Sequence, residues 1–399
     1  MIEPTIDART SRRNVLLLAL SQGLYMIGTS TMIAEASIVG YTLAPDKGLA
    51  TLPVALQQLA VVVTQIPANL LMRRVGRRWG YTVGASFGIV GTAVAALGVL
   101  WASFFLFCLG SALNGVYNGF GQSYRFAAVD GSSDAWRTKA ISYTLAGGVI
   151  AAVIGPELAR YTKDLLAPVT FAGSFAALSL VAVLAIVVIQ FIDIPRPAAS
   201  ARRDTGRPLA EILRQPAARV AILSGMVGYG TMTLLMTVTP LAMIACSHPF
   251  SAAAFVIQWH VLGMFAPSFV TGILIGRFGV LNVIIGGIVI LGACLAVNLT
   301  GTAVAHFWLG LFLLGIGWNF TYVGATTLLT QVYEPAEKAK VQGTNDFLVF
   351  ATMATGALSS GAFFNSLGWS ALNVIAAPFL VTALTALVWL ALKQRPVAA

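Results

Sequence analysis

The residues in this chain that could do chemistry are few and widely scattered. Gly84-Ala85-Ser86-Phe87-Gly88 matches the G-x-S-x-G pattern of a hydrolase nucleophile. Such a serine needs a strand-to-helix turn. Here it lies inside an apolar run, where Gly80, Gly84 and Gly88 give the small-residue spacing of a helix-packing face. No phosphate-loop signature and no H-E-x-x-H occurs. Cys108, Cys246 and Cys294 are far apart and read as packed thiols, not as a metal or disulfide framework. The sequence therefore predicts no catalytic residue, no metal and no cofactor.

What remains is a set of polar and aromatic residues set in apolar surroundings. Asn114, Asn118 and Gln122 are four apart and share one face of a helix, with Tyr117 beside them. Gln22, Tyr25 and Thr29 form a second group, Tyr229 and Thr233 a third, and Trp318, Asn319 and Tyr322 a fourth. A few polar groups in an apolar, aromatic pocket suit a small organic solute. The competing role is hydrogen bonding between helices. Glu35, Asp346 and His260 are the proton-coupling candidates, because an ionisable group within lipid is costly and commonly functional. Glu157 stands beside Arg160 and reads as a structural pair. Asp346 is within reach of Lys338 or Lys340, which favours an ion pair or latch. His260, a lone histidine, fits a packing role as well as a proton role.

The elements that must position these residues follow from composition. Of 399 residues, 58% are hydrophobic and 10% charged, against about 25% charged in soluble domains. Too few charges remain to cover a soluble fold, whereas lipid solvates apolar surface. Apolar runs fall near 14–40, 49–72, 79–100, 102–126, 139–160, 166–192, 217–244, 251–275, 280–299, 303–330, 340–364 and 369–392. A spanning helix needs about 20 apolar residues. Helices are expected because a backbone in lipid must satisfy its own hydrogen bonds. The first run is too long for a signal-peptide core and reads as a retained helix.

Charge sets the orientation. With the N-terminus inside, 21 of the 24 basic residues fall on cytoplasmic segments, leaving Lys47, Arg160 and Lys163 outside. That asymmetry is the positive-inside pattern, and it explains the net charge of +10 without nucleic acid. The stretch from Asp193 to Pro216 is the longest polar segment. It predicts a cytoplasmic linker, with a short helix near Leu209–Leu213, between halves 1–192 and 217–399.

The halves echo each other about 200 residues apart. Arg74-Val75-Gly76 and Arg277-Phe278-Gly279 share R-x-G. Gly110 and Gly115 match Gly310 and Gly315, and Ala135-Trp136-Arg137-Thr138-Lys139 matches Ala336-Glu337-Lys338-Ala339-Lys340. A parallel duplication of six spans describes one large transporter architecture.

On these residues the chain resembles the major facilitator superfamily over almost its whole length. That family carries G-x-x-x-D-R-x-G-R-R/K between spans two and three. Arg74, Gly76, Arg77 and Arg78 match it, while Arg73 replaces the Asp and Asn69 the first Gly. In the second copy Gly272, Arg277 and Gly279 match, with Gly276 at the Asp position. The resemblance implies an all-α integral membrane fold of twelve helices in two six-helix halves. It assigns Arg74, Gly76, Arg77, Arg78, Arg277 and Gly279 to a cytoplasmic gate. Both acids of the usual charge relay are lost, so these arginines are expected to meet Asp130, Asp134 or helix C-termini instead. Gly147-Gly148 and Gly155-Pro156 look like part of the family's antiporter motif, with bending and close packing of span five as their physical role. The intramembrane arginine of many members is absent, and Ser111 stands there.

In this fold spans 1, 4, 7 and 10 line the central cavity. That implies substrate contact for Gln22, Tyr25, Asn114, Asn118, Gln122, Tyr229, Trp318, Asn319 and Tyr322. A narrower resemblance, carried by Gly315-Ile316-Gly317-Trp318-Asn319-Phe320 and Gln342-Gly343-Thr344-Asn345-Asp346-Phe347, is to a bacterial branch that includes riboflavin uptake carriers. The resulting expectation is alternating-access movement of a small organic solute across the bacterial inner membrane, with both termini cytoplasmic. The protein is expected to act as a monomer in lipid, with riboflavin uptake the leading substrate reading. Drug or metabolite efflux and a non-transporting receptor are the alternatives.

Overall fold

The computed structural model describes residues 7–194, 206–334 and 336–394. Pro195, Arg196, Pro197, Arg202, Arg203 and Arg395 lie outside them, as do the side chains of Asp134 to Lys139, of Ile141, Ser142, Leu145 and Ala146, and of Ala339. Among the described residues every long element is helical and there is no strand. The first part holds α1 (Ala8–Leu43), α2 (Leu52–Val75), α3 (Arg77–Leu100), α4 (Phe104–Gly121), α5 (Tyr124–Asp130), α6 (Asp134–Thr162) and α7 (Ala172–Ile189). The second holds α8 (Leu209–Arg214), α9 (Pro216–Ala245), α10 (Phe250–Phe265), α11 (Ser268–Phe278), α12 (Val280–Thr300), α13 (Val304–Thr330) and α14 (Lys338–Gln394).

Among the described residues eight helices are long and apolar enough to cross a membrane, or nine with α10 and α11 taken as one bent span. Two of the expected runs are interrupted and two others are joined, each for a local reason. The 102–126 run breaks after Gly121, where the Ser123 hydroxyl donates to the Phe120 carbonyl at 2.8 Å and competes with the helical ladder. The 251–275 run bends by 43° at Pro267, which has no N–H to give. The last two runs share α14, whose path turns at Gly368 with φ 79°.

The chain divides into two compact units, Met1–Ala199 with Ala253–Gln258, and Ser200–Ala252 with Trp259–Ala399. In the first unit α1 packs on α6, α2 and α3 on α4, and α3 on α7. Glycine makes these approaches possible. A Cβ on Gly147 would overlap the Ala19 carbonyl of α1, and one on Gly115 the Gln57 carbonyl of α2. In the second unit α9 packs on α14 and α13, and α12 on α13. There Gly315 lies against the His260 carbonyl just as Gly115 lies against Gln57. Gly76 and Gly279 also correspond. Each ends one helix and starts the next with φ near that of its twin, 89° and 84°, a conformation glycine adopts without strain.

Polarity is inverted relative to a soluble protein. Ile66, Phe105 and Leu180 are over 70% exposed, whereas polar side chains work inside as staples. Thr31 Oγ1 donates to the Gly155 carbonyl at 2.9 Å, and Asn298 Nδ2 donates to Asn373 Oδ1 at 2.8 Å. Asn14 fastens the start of the connector: its Nδ2 donates to the Asp193 carbonyl at 2.6 Å, and its Oδ1 accepts from the Asp193 N–H at 3.0 Å.

Candidate functional site

The densest aromatic cluster sits in the second unit. Tyr229 on α9 meets Trp318 and Tyr322 on α13 edge-on, at centroid distances of 5.1 and 4.9 Å. Trp318 and Tyr322, one turn apart, stack at 5.3 Å with only 14° between their planes. Phe350 on α14 and Phe265 on α10 close the cluster at 5.8 Å from Tyr229 and 6.2 Å from Trp318. The Trp318 indole N–H is buried and has no hydrogen-bond partner. Tyr229 and Tyr322 stay partly exposed. None of these five side chains carries a formal charge, which suits a neutral planar solute that offers an acceptor to the indole.

Asn319, the neighbour of Trp318, turns away from this cluster. Its Nδ2 donates to the Met264 carbonyl and to Ser268 Oγ, and its Oδ1 accepts from Thr271 Oγ1, each at 2.7 Å. Its hydrogen-bonding capacity is spent on α10 and α11. Thr233 on α9 is buried with its hydroxyl unpartnered.

A second cluster lies in the first unit. Gln122 Nε2 donates to the Tyr25 hydroxyl at 3.0 Å, joining α1 to the end of α4. Tyr25 meets Tyr117 and Tyr124 edge-on at 6.1 and 6.4 Å. Asn114 and Asn118 are buried on the same face of α4, and Asn114 Nδ2 has no partner. Gln22 lies one turn before Tyr25, buried, and Thr29 donates back to the Tyr25 carbonyl at 3.4 Å.

The ionisable candidates are separated from one another. Glu35 is fully buried in α1; Oε1 accepts from Ser174 Oγ of α7 at 2.7 Å, and Oε2 is unpartnered. His260 Nδ1 lies 2.8 Å from the Leu311 carbonyl, which ties α10 to α13, and Nε2 is unpartnered. Glu157 pairs with Arg160 at 3.4 Å. Asp346 accepts from Asn345 Nδ2 at 3.1 Å. The Lys340 ammonium donates to the Arg207 carbonyl. Ser111 folds back onto the Phe107 carbonyl at 2.8 Å, and Ser86 onto the Thr82 carbonyl at 2.9 Å.

In the first arginine loop Arg77 Nη2 reaches Asp130 at 2.6 Å, and Arg78 Nε donates to Gln190 Oε1 at 3.1 Å. Arg74 is exposed, and Arg277 lies over the Phe278 ring at 5.3 Å. Two of the arginines thus find partners that do not depend on the missing acid.

The family model of the Major Facilitator Superfamily matches residues 18–257 and 241–399. The chain belongs to the Major Facilitator Superfamily. It is a multi-pass membrane transporter of a small-molecule solute, not an enzyme. It is 41% identical to the riboflavin transporter RfnT of Brucella anthropi, over 98% of this chain and 99% of that protein. It is 26% identical to the uncharacterized MFS-type transporter YdeG of Bacillus subtilis, over 95% and 92%. The crystal structure of the nucleoside transporter NupG superposes with a TM-score of 0.69 at 15% identity, over 96% of this chain and 100% of that one. This last likeness shows the superfamily fold.

Several participants carry no mark in the sequence. Phe265 and Phe350 complete the aromatic cluster, but in an apolar run nothing distinguishes one phenylalanine from another. Tyr124 and the buried, unpartnered amide of Gln57 lie in the first unit. Glu337 stands out in the sequence only as part of the repeat. It is completely buried and accepts from Arg207 N and Nε, each at 2.8 Å, from Arg207 Nη2 at 2.7 Å and from the Glu334 N–H at 2.9 Å. The clasp ties the chain before α8 to the loop before α14, and Ile212 of α8 is buried in the same unit.

The Arg207 guanidinium, helped by the Glu334 and Arg207 backbone N–H groups, pulls the Glu337 carboxyl from 4.5 down to about 2. A carboxyl depressed by folding stabilises above its ordinary value, and that contribution fades as pH falls from 4.5 towards 2. The Glu337→Gln variant is therefore expected to melt below wild type by a constant margin from about pH 5 to pH 8. The margin should shrink in more acid solution, where the wild-type carboxyl gains its proton. A margin that grows on acidification would contradict the clasp.

Proposed function

We propose that this transporter carries riboflavin into the cell by alternating access. The observation that carries the reading is the 41% identity with a riboflavin transporter across essentially the whole of both chains. The site chemistry supports it. Riboflavin is uncharged at neutral pH and presents a flat tricyclic ring with carbonyl acceptors. The Trp318–Tyr322–Tyr229 cluster is uncharged, aromatic, and holds an unpaired indole donor. Gln22, Tyr25, Asn114, Asn118 and Gln122 in the first unit are proposed as further solute-contacting residues.

The placement proposed is the cytoplasmic membrane, with twelve spans, two halves joined by the 193–216 connector, and both termini and connector inside. The bias of basic residues supports it. Arg74, Gly76, Arg77, Arg78, Arg277 and Gly279 are proposed to serve the cytoplasmic gate, and a single chain is proposed to suffice. Of the proton candidates, Glu35 and His260 each keep one buried polar atom unpartnered, Oε2 and Nε2, which favours them over Asp346.

A riboflavin auxotroph lacking its own uptake system provides the test. Expression of this protein is expected to restore growth at low vitamin concentration. No rescue, with new resistance to several toxic compounds, would replace uptake with efflux.

A further inference from the structure

The two arms of the duplication treat one helix differently. Pro67 on α2 and Pro267 between α10 and α11 stand 200 residues apart, at equivalent points of the repeat. At Pro67 helix α2 runs on unbroken, and it packs along α4. A Cβ on Gly119 of α4 would come within 2.8 Å of the Thr64 Cβ, so the glycine is what lets α2 lie flush. The position equivalent to Gly119 is Asn319. There a full side chain stands where the first half has a hydrogen, and the facing helix bends by 43°.

The hydrogen bonds at the bend show what that side chain does. On either side of the break the ladder runs from Ala266 N–H to Leu262 and from Thr271 N–H to Pro267, each at 2.9 Å. The Met264 carbonyl falls in the gap and takes its bond from Asn319 Nδ2 at 2.7 Å. The same amide reaches Ser268 Oγ and Thr271 Oγ1 on the far side. An unpaired carbonyl within a membrane is strongly unfavourable, so Asn319 offsets the cost of the break and spans both of its sides. Beyond the break α11 still touches α13 through Thr271, but nothing lies within 4 Å of a Cβ built on Gly272 or Gly276. A cavity of about 460 Å³ opens between it and α12 and α13, lined by Leu274, Phe278, Asn282, Val283, Gly286 and Phe320. Nothing lies within 4 Å of a Cβ built on Gly286.

We propose that Asn319 is a positioning residue for transport: it holds a working hinge at 266–267, about which α11 swings into the cavity beside α12 and α13 during the cycle. Asn319 directly follows Trp318 in α13, so movement of the helix that carries the aromatic cluster is passed to the hinge through three hydrogen bonds. In the first unit the flush packing at Gly119 leaves no equivalent room. The inference rests on the chain being a transporter and is independent of which solute it carries.

The test fills the cavity. Gly286→Leu has open space for its side chain and is expected to reach the membrane at normal abundance. Its maximal transport rate should fall roughly tenfold while KM changes little, as for a conformational step. Gly292→Leu, on the same helix and also without a neighbour within 4 Å, should transport normally. Asn319→Gly, which copies the first half, should likewise lose rate and not affinity.

A solute-free readout separates this proposal from the riboflavin reading. Spin labels at the exposed positions Ile273 on α11 and Val289 on α12, with Cys246 replaced by serine, should report two separations in the native chain. Gly286→Leu should leave only the longer. A single separation in the native chain, or a wild-type rate in Gly286→Leu, overturns the hinge. Should Gly286→Leu fail to accumulate, the label pair on the native chain decides alone.

Discussion

Replacing Trp318 with alanine is expected to weaken riboflavin binding by the folded protein about 30-fold. Trp318 is 5% exposed and its face is taken by Tyr322, so what it offers a solute carbonyl is the unpartnered indole N–H, and losing a buried hydrogen bond costs about 2 kcal/mol. That energy corresponds to about 30-fold in Kd. Removing the indole orphans no hydrogen-bond partner, but it opens a cavity beside Tyr229, Phe265 and Tyr322 at a cost of about 3–5 kcal/mol, so binding is measured on folded protein recovered by size-exclusion chromatography. Tyr229→Phe, which keeps the ring contacts at 5.1 and 4.9 Å, should have a much smaller effect. Titrating flavin fluorescence against purified protein measures both. Equal Kd values for wild type and Trp318→Ala, with uptake intact, would remove the aromatic cluster as the site.

The second large effect concerns the fold. Gly147→Leu is expected to abolish accumulation of folded protein. A side chain at 147 would press into the Ala19 carbonyl and lie 3.0 Å from the Gly23 N–H. Both are backbone atoms of α1, so no rotamer change can give way. Overpacking a tight contact costs up to about 3 kcal/mol even where side chains can adjust, and here the helices themselves must part. Gly28→Ala on the same α1 meets nothing within 4 Å and should be neutral. Size-exclusion chromatography and melting of a fluorescent fusion report the outcome. A Gly147→Leu protein that folds and melts like wild type would refute the close crossing of α1 and α6. The result also gives the Gly147-Gly148 and Gly155-Pro156 stretch a role in packing that holds for import or export alike.

Much of the fold is legible in the sequence because lipid restricts backbone so severely. Apolar run length marks the helices, and the R-x-G echo locates two glycines whose φ angles, 89° and 84°, are nearly equal. Tyr229, Trp318 and Tyr322 can be grouped beforehand because polar aromatics within apolar runs stand out. Asn319 cannot be placed correctly by the same rule. Residue type does not say on which side of α13 a side chain falls, and Asn319 points to the hinge while Trp318 points to the cluster. The bend itself is hidden because proline is tolerated within membrane helices, as Pro67 demonstrates. Glu337 escapes notice because its burial depends on the fold of the chain around Arg207, 130 residues away. The two glycines that pack against Gln57 and His260 are visible only as a spacing; their partners lie on helices that periodicity cannot pair.

Purified protein reconstituted alone into liposomes, supplied with labelled riboflavin, addresses the main claim without help from a living cell. Saturable entry that unlabelled riboflavin competes away, and that Trp318→Ala sharply reduces at low vitamin concentration, is the result the account predicts. Entry no faster than into protein-free liposomes, from protein that moves another solute under the same conditions, would contradict it.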